Sequence, residues 1–166
     1  MAVASGQMAV HSGERDLVLG LDPGRDKTGF AFVNLDGDLL IAGIFPTDER
    51  ENFFADFTPY ITERRIGSDD SIMSRVEIIV VGDGTTSRAF TEHVRTLAGC
   101  EIMTVDERNT TLEARGLYWK IHRPGIWARL LPEGMRVPKR VLDDFAAWAV
   151  ALRGLKKYRD IRRNKL

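Results

Sequence analysis

The chain of 166 residues (18.7 kDa) is 43% hydrophobic and 29% charged, the composition of one globular domain and not of a disordered or fibrous chain. It has no apolar run of roughly 18 residues, and residues 1–16 offer neither a basic start nor an apolar stretch, so the sequence predicts no transmembrane helix, no membrane partner and no signal peptide. The lone Cys100 excludes an internal disulfide and fits a cytoplasmic location, while the net charge of zero hides 10 Lys+Arg against 20 Asp+Glu in residues 1–114 and 14 against 4 in residues 115–166, a split suited to a metal-dependent enzyme acting on a polyanion.

Residues 1–15 lack periodicity and read as a leader. Leu17–Leu21 is an apolar run closed by the turn Asp22-Pro23-Gly24. Thr28–Asn34 and Leu39–Phe45, joined through Asp36-Gly37, complete an antiparallel meander. Over Glu49–Arg65, the residues Phe53, Phe54, Phe57, Tyr60 and Ile61 share one helical face, with Pro59 as a kink or break. Val76–Val81 predicts a buried parallel strand ending at Gly82-Asp83-Gly84, followed by a helix over 86–98 and a strand over Glu101–Val105. Thr110 or Thr111 then caps a helix to about Ile121, with Glu113 as reciprocal partner. A Pro/Gly/Arg-rich loop spans His122–Lys139, a last helix runs over Arg140–Tyr158, and a basic tail occupies 159–166. The expected organisation is a leader (1–15), one α/β domain with a mixed sheet (16–158) and the tail.

Three acids follow directly on strands: Asp22, Asp83 and Glu107. In a mixed sheet such strand ends open on one crevice. Asp143 opens the last helix on a stripe with Ala146, Ala147, Val150 and Gly154, small residues that let the helix lie close to the sheet, whereas Asp144 shares a stripe with Trp148, Ala151 and Leu155. Taken singly, each acid is equally at home as a turn former or a helix cap. Together they would repel one another unless a divalent cation neutralised them. An all-oxygen set suits Mg²⁺ or Mn²⁺, which can activate water and stabilise the leaving oxygen at a phosphodiester. Asp22, Asp83, Glu107 and Asp143 are therefore the candidate metal ligands.

The segments LVLGLDPGRDKTGFAFV, VDERNTTLEARGLYWK and RVLDDFAAWAVALRGLKKY resemble, in order, three blocks of the YqgF/RuvX Holliday-junction resolvase family within the RNase H-like, RuvC-related superfamily. The resemblance covers about residues 17–157. It implies a three-layer α/β/α fold on a mixed five-stranded sheet, three antiparallel strands then two parallel, and a metal-dependent nuclease site with Asp22, Glu107 and Asp143 as its catalytic residues. Where that family usually has a Gly-Leu-Pro and Asn-x-Asp-Gly-like segment, this chain has Gly82-Asp83-Gly84-Thr85-Thr86, which is more RuvC-like and makes Asp83 an additional ligand candidate. The implied substrate is branched DNA or structured, precursor-type RNA, and a homodimer would supply the two active sites that a symmetric junction needs.

The basic residues fit such a partner. Arg25 and Lys27 follow Asp22, and Arg115, Lys120, Arg123, Lys139 and Arg140 lie in the basic third of the chain, where each can neutralise a phosphate. Tyr118, Trp119 and Trp127 interleave with them as stacking platforms, although Trp119 is equally readable as a core anchor and the tail as a solvated end. His11, His93 and His122 lack metal spacing and read as surface residues. Two other readings remain: a catalytically inactive RNase H-like nucleic-acid binding module, and a sugar-kinase or actin-like phosphate loop at Asp22-x-Gly24-x-x-x-Thr28-Gly29. The latter needs two such domains, more than 166 residues supply.

Overall fold

The computed structural model describes residues 15–65, 72–84 and 87–164, so most of the leader lies outside the described residues. Six strands, β1 (Leu17–Pro23), β2 (Lys27–Asn34), β3 (Leu39–Pro46), β4 (Ile61–Arg64), β5 (Val76–Gly82) and β6 (Glu101–Val105), form one open mixed sheet in the order β4-β3-β2-β1-β5-β6. Neighbours from β4 to β1 are antiparallel, while β5 runs parallel to β1 and β6 parallel to β5. Four helices accompany it: α1 (Arg50–Ala55), α2 (Ser87–Leu97), α3 (Thr110–Ile121) and α4 (Asp143–Arg163). None of the described helices is long and apolar enough to cross a membrane.

The sixth strand is a correction to the five expected, and it comes from the stretch read as a single helix. The α-helix there lasts only Arg50–Ala55. Asp56 turns extended, and its carboxylate accepts the Thr58 N–H at 2.9 Å. Pro59 then sits in a 3-10 turn, after which Ile61–Arg64 pairs with β3 as an edge strand. The aromatic face survives this change of backbone. Phe53 stacks on Phe45 with ring centroids 4.2 Å apart, and Phe57 lies 5.0 Å from Phe32.

Alternation along the strands builds a core on each face of the sheet. Leu17, Leu19, Leu21, Phe30, Phe32, Ile79 and Val81 meet Phe53 of α1 and Phe90 and Val94 of α2. Val18, Ala31, Val33, Ile78 and Val80 meet α3 and α4 on the other face. The result is three layers, with α4 buried along most of its length.

Close approach fixes where α4 lies. A Cβ on Gly20 of β1 would come within 2.7 Å of the Ala151 Cβ. One on Gly29 of β2 would fall inside the Asp143 carbonyl and 3.0 Å from Asp144 N. Asp144 is fully buried and accepts from Thr62 of β4 at 2.5 Å and from both Arg140 nitrogens at 3.0 and 2.9 Å, so it ties the start of α4 to the sheet edge.

The helix starts three residues later than expected and runs to Arg163. Most of the basic tail is thus its final turns: Arg159 donates to the Leu35 carbonyl, and Arg162 bonds Glu77 at 3.0 Å.

Because the Gly29 contact is backbone against backbone, Gly29→Ala is expected to destabilise the fold by about 1–3 kcal/mol or more through overpacking. Gly99→Ala, which meets nothing within 4 Å, should leave stability near the wild type. Urea unfolding midpoints compare the two.

Candidate active site

Asp22 stands near the end of β1, paired in register with Gly29. Glu107 lies two residues beyond β6, and Asp143 is the first residue of α4. All three line one cavity of about 500 Å³, whose rim includes Arg25, Lys27, Thr110 and Thr111. The register at Gly29 and the helix resting on that glycine are what bring Asp143 over Asp22.

The loop after Asp22 is held from β2 and from the turn after β3. Gly24 N–H donates to the Lys27 carbonyl at 2.9 Å, and the Thr47 hydroxyl donates to the Gly24 carbonyl at 3.1 Å. Thr47 N–H reaches the Asp26 carbonyl at 2.9 Å, and the Thr28 and Thr47 hydroxyls lie 2.9 Å apart. Arg25 and Lys27 are thus presented on a fixed turn, and neither side chain has a hydrogen-bond or ion-pair partner among the described residues.

Glu107 is fixed from three directions. Its N–H donates to Asp83 Oδ1 at 3.1 Å, while Asp83 N–H bonds the Val105 carbonyl at 2.9 Å. Its carbonyl accepts the Thr110 hydroxyl at 2.8 Å. Arg153 of α4 donates to the Asp106 carbonyl, to the Arg108 carbonyl at 2.7 Å and to Glu113 at 2.6 Å, clamping the loop from below. Gly82 and Gly84 leave room for the carboxylate: a Cβ on Gly82 would lie 2.8 Å from Glu107 Oε2, and one on Gly84 2.8 Å from its Cδ. The tight turn ends at Asn109, whose φ of 66° is left-handed, a conformation Asn tolerates better than most residues.

Burial pushes the Asp22 carboxyl up to about 7, aided by the charges of Glu107 and Asp143 and by a hydrogen bond to Glu107. Burial also raises Asp143, with the Asp144 charge adding to it and Lys27 opposing. Acids perturbed by burial and by each other inside a cleft are a frequent mark of a functional site. The donors are all oxygen, which suits a hard divalent cation, and the glycine cradle keeps the Glu107 carboxylate free of side-chain obstruction. Among the described residues, no group of three or more His, Cys, Asp or Glu is already gathered at metal-holding spacing. A cation there would take the place of the proton that burial and the neighbouring carboxylates keep on Asp22.

The cavity brings together Asp22, Glu107, Asp143, Arg25 and Lys27. Asp83 is exposed and is not among its described lining residues; its carboxylate is turned to the Glu107 amide, the position of a residue that orients Glu107. Arg115 lines an adjoining pocket, and Arg140, also there, is committed to Asp144. Lys120, Arg123 and Lys139 are exposed and outside both linings.

Trp119 is an anchor, its Nε1 donating to the Arg136 carbonyl at 3.1 Å, whereas Trp127 is 83% exposed. His93 and His122 stand 3.2 Å from Glu51 and Glu63, and His11 lies outside the described residues. The expected capping box on α3 is absent: Asn109 is the N-cap, Thr110 turns back to the Glu107 carbonyl and Glu113 binds Arg153. Thr47, and the role of Arg153 in holding the loop, escaped the sequence reading because their partners lie 23 and 45 residues away. The chain matches no protein-family model and no curated protein.

Between about pH 4 and 7 the unfolded chain has lost the Asp22 proton while the folded one keeps it, so this residue's contribution to stability is full below 3.8 and is lost as pH rises toward 7. Asn cannot ionise. In the metal-free protein, Asp22→Asn should therefore match wild type near about pH 3.5 and exceed it by a few kcal/mol near about pH 8, since each pH unit between the unfolded and folded pKa is worth about 1.4 kcal/mol. Denaturant titrations at the two pH values check the sign.

Proposed function

We propose that the chain is a Mg²⁺- or Mn²⁺-dependent, structure-selective endonuclease of RNase H-like type, related to the YqgF/RuvX and RuvC resolvases and acting on branched DNA or structured RNA. The observation that carries this reading is the convergence of Asp22, Glu107 and Asp143 on one cavity that Arg25 and Lys27 also line, neither of them hydrogen-bonded or ion-paired among the described residues. Three antiparallel strands followed by two parallel ones, with β4 added at the edge, support the fold assignment.

In this reading Asp22, Glu107 and Asp143 hold the cation, and Asp83 and Arg153 orient Glu107. A bound Mg²⁺ or Mn²⁺ supplies Lewis-acid polarisation of the phosphoryl oxygen and a water acidic enough to attack at neutral pH. Arg25 and Lys27 take non-bridging phosphate oxygens and fix the strand against the carboxylates. The first turn of α3, at Thr110 and Thr111, adds the positive end of a helix dipole to the same wall. A homodimer presenting two such cavities would suit a symmetric junction.

A second reading, a nucleic-acid binding module without turnover, is favoured by the lack of a ready-gathered metal group among the described residues. Cleavage separates the two. Labelled branched DNA and a structured RNA precursor, incubated with Mn²⁺, should be nicked by wild type and not by folded Asp22→Asn or Glu107→Gln. Binding without nicking would favour the module. In either case Arg25→Ala combined with Lys27→Ala should lower the slope of log K against log salt by about 2, and an unchanged slope would place both outside the phosphate path.

A further inference from the structure

The cavity continues past its carboxylates. A second pocket of about 260 Å³ opens beside it, with Asp22, Asp143 and Thr111 lining both. The rest of its lining is different in kind. Ala114 of α3, Ala146 of α4 and Val137, Pro138 and Leu142 from the segment before α4 give it apolar surface, and Arg115 adds a cation. Arg115 has no hydrogen-bond or ion-pair partner among the described residues.

Small-molecule sites mostly occupy about 300–1,000 Å³, so this pocket is sized for a single ring system and not for a peptide or a duplex. An apolar slot with one unspent guanidinium, opening off a larger cavity lined by carboxylates, has the chemistry of a nucleotide's two halves. Apolar and guanidinium surfaces accept the π-face of a base, while Asp22, Glu107 and Asp143 would hold a divalent cation able to attract the adjoining phosphate. Val137 and Val141 line the slot while 68% and 66% exposed, so apolar surface there is open to a ligand. The segment that carries them, residues 123–141, holds Arg123, Arg129, Arg136, Lys139 and Arg140 against the single acid Glu133. That charge complements a polyanion.

We propose that this pocket seats one unpaired nucleobase of the substrate strand, beside the phosphate that the carboxylate cavity takes. The proposal rests on the nucleic-acid reading above and adds the feature by which the substrate is told from continuous duplex. A base stacked and paired in a duplex cannot enter the slot without first leaving its helix, a cost of a few kcal/mol that an already unpaired base does not carry.

The test measures binding without cleavage. In EDTA, fluorescence anisotropy gives the affinity of wild type, Val137→Asp and Arg115→Ala for a labelled oligothymidylate, for the same-length abasic strand and for a duplex. Removing the bases should weaken wild-type binding about 10-fold, near the lower end of about 1–3 kcal/mol per stacked base. Val137→Asp lies on an exposed position and should shrink that ratio to under about threefold, and Arg115→Ala should shrink it likewise. The ratio cancels any general loss of electrostatic attraction.

An equal abasic penalty in all three proteins, or no penalty in wild type, overturns the base pocket while leaving the nuclease reading intact. Failure of wild type to bind strand or duplex at all overturns both. If Val137→Asp converts a dimer to a monomer on size exclusion and leaves the ratio unchanged, the slot is a contact between two copies of the chain and the proposal fails.

Discussion

The site hangs on the closeness of α4 to β1 and β2. Helix and sheet usually keep a side chain's thickness between them, but at Gly20 and Gly29 the backbone of α4 rests against the strands. Farther along, Val80 of β5 fills the space that a side chain at position 154 would need. With that spacing the first residue of the helix stands over the end of the central strand, and Asp143 and Asp22 share a cavity. A wider spacing would leave the same residues in the same order and no site.

Gathering acids in this way is costly, and the structure meets the cost differently for each. Asp22 holds its proton up to about pH 7, because burial and two neighbouring carboxylates disfavour its charge. Asp143 has Lys27 nearby to temper its own upward shift. Asp144, the most buried of them, is satisfied by Arg140, Thr62 and its own helix, and is spent on holding the helix start in place. Adjacent acids thus divide into one that faces the cavity and one that fixes the element carrying it.

Much of this was legible in the sequence because it depends on local pattern. Apolar runs bounded by glycine turns marked β1, β5 and β6, and the small-residue stripe of α4 singled out Asp143 over Asp144. The edge strand β4 was hidden, since Phe53, Phe57, Tyr60 and Ile61 satisfy helical spacing even though a short helix, a 3-10 turn and a strand deliver them to the same core. Asp83 is a ligand candidate in the sequence because it follows a buried strand, and its hydrogen bond to the Glu107 amide, 24 residues away, follows no local pattern. Arg153 is one of many cations in the last third of the sequence, and its bonds to the Asp106 and Arg108 carbonyls and to Glu113 follow no local pattern.

Arg153 also joins two of the acids through the backbone. Its guanidinium joins the middle of α4 to the Asp106–Arg108 loop, and Asp143 starts the same helix. Glu107 is therefore held from two sides, by the helix that carries Asp143 and, through Asp83, by the end of β5. Loss of the guanidinium would free the Glu107 loop from α4 and leave Asp22 and Asp143 where the glycine contacts put them.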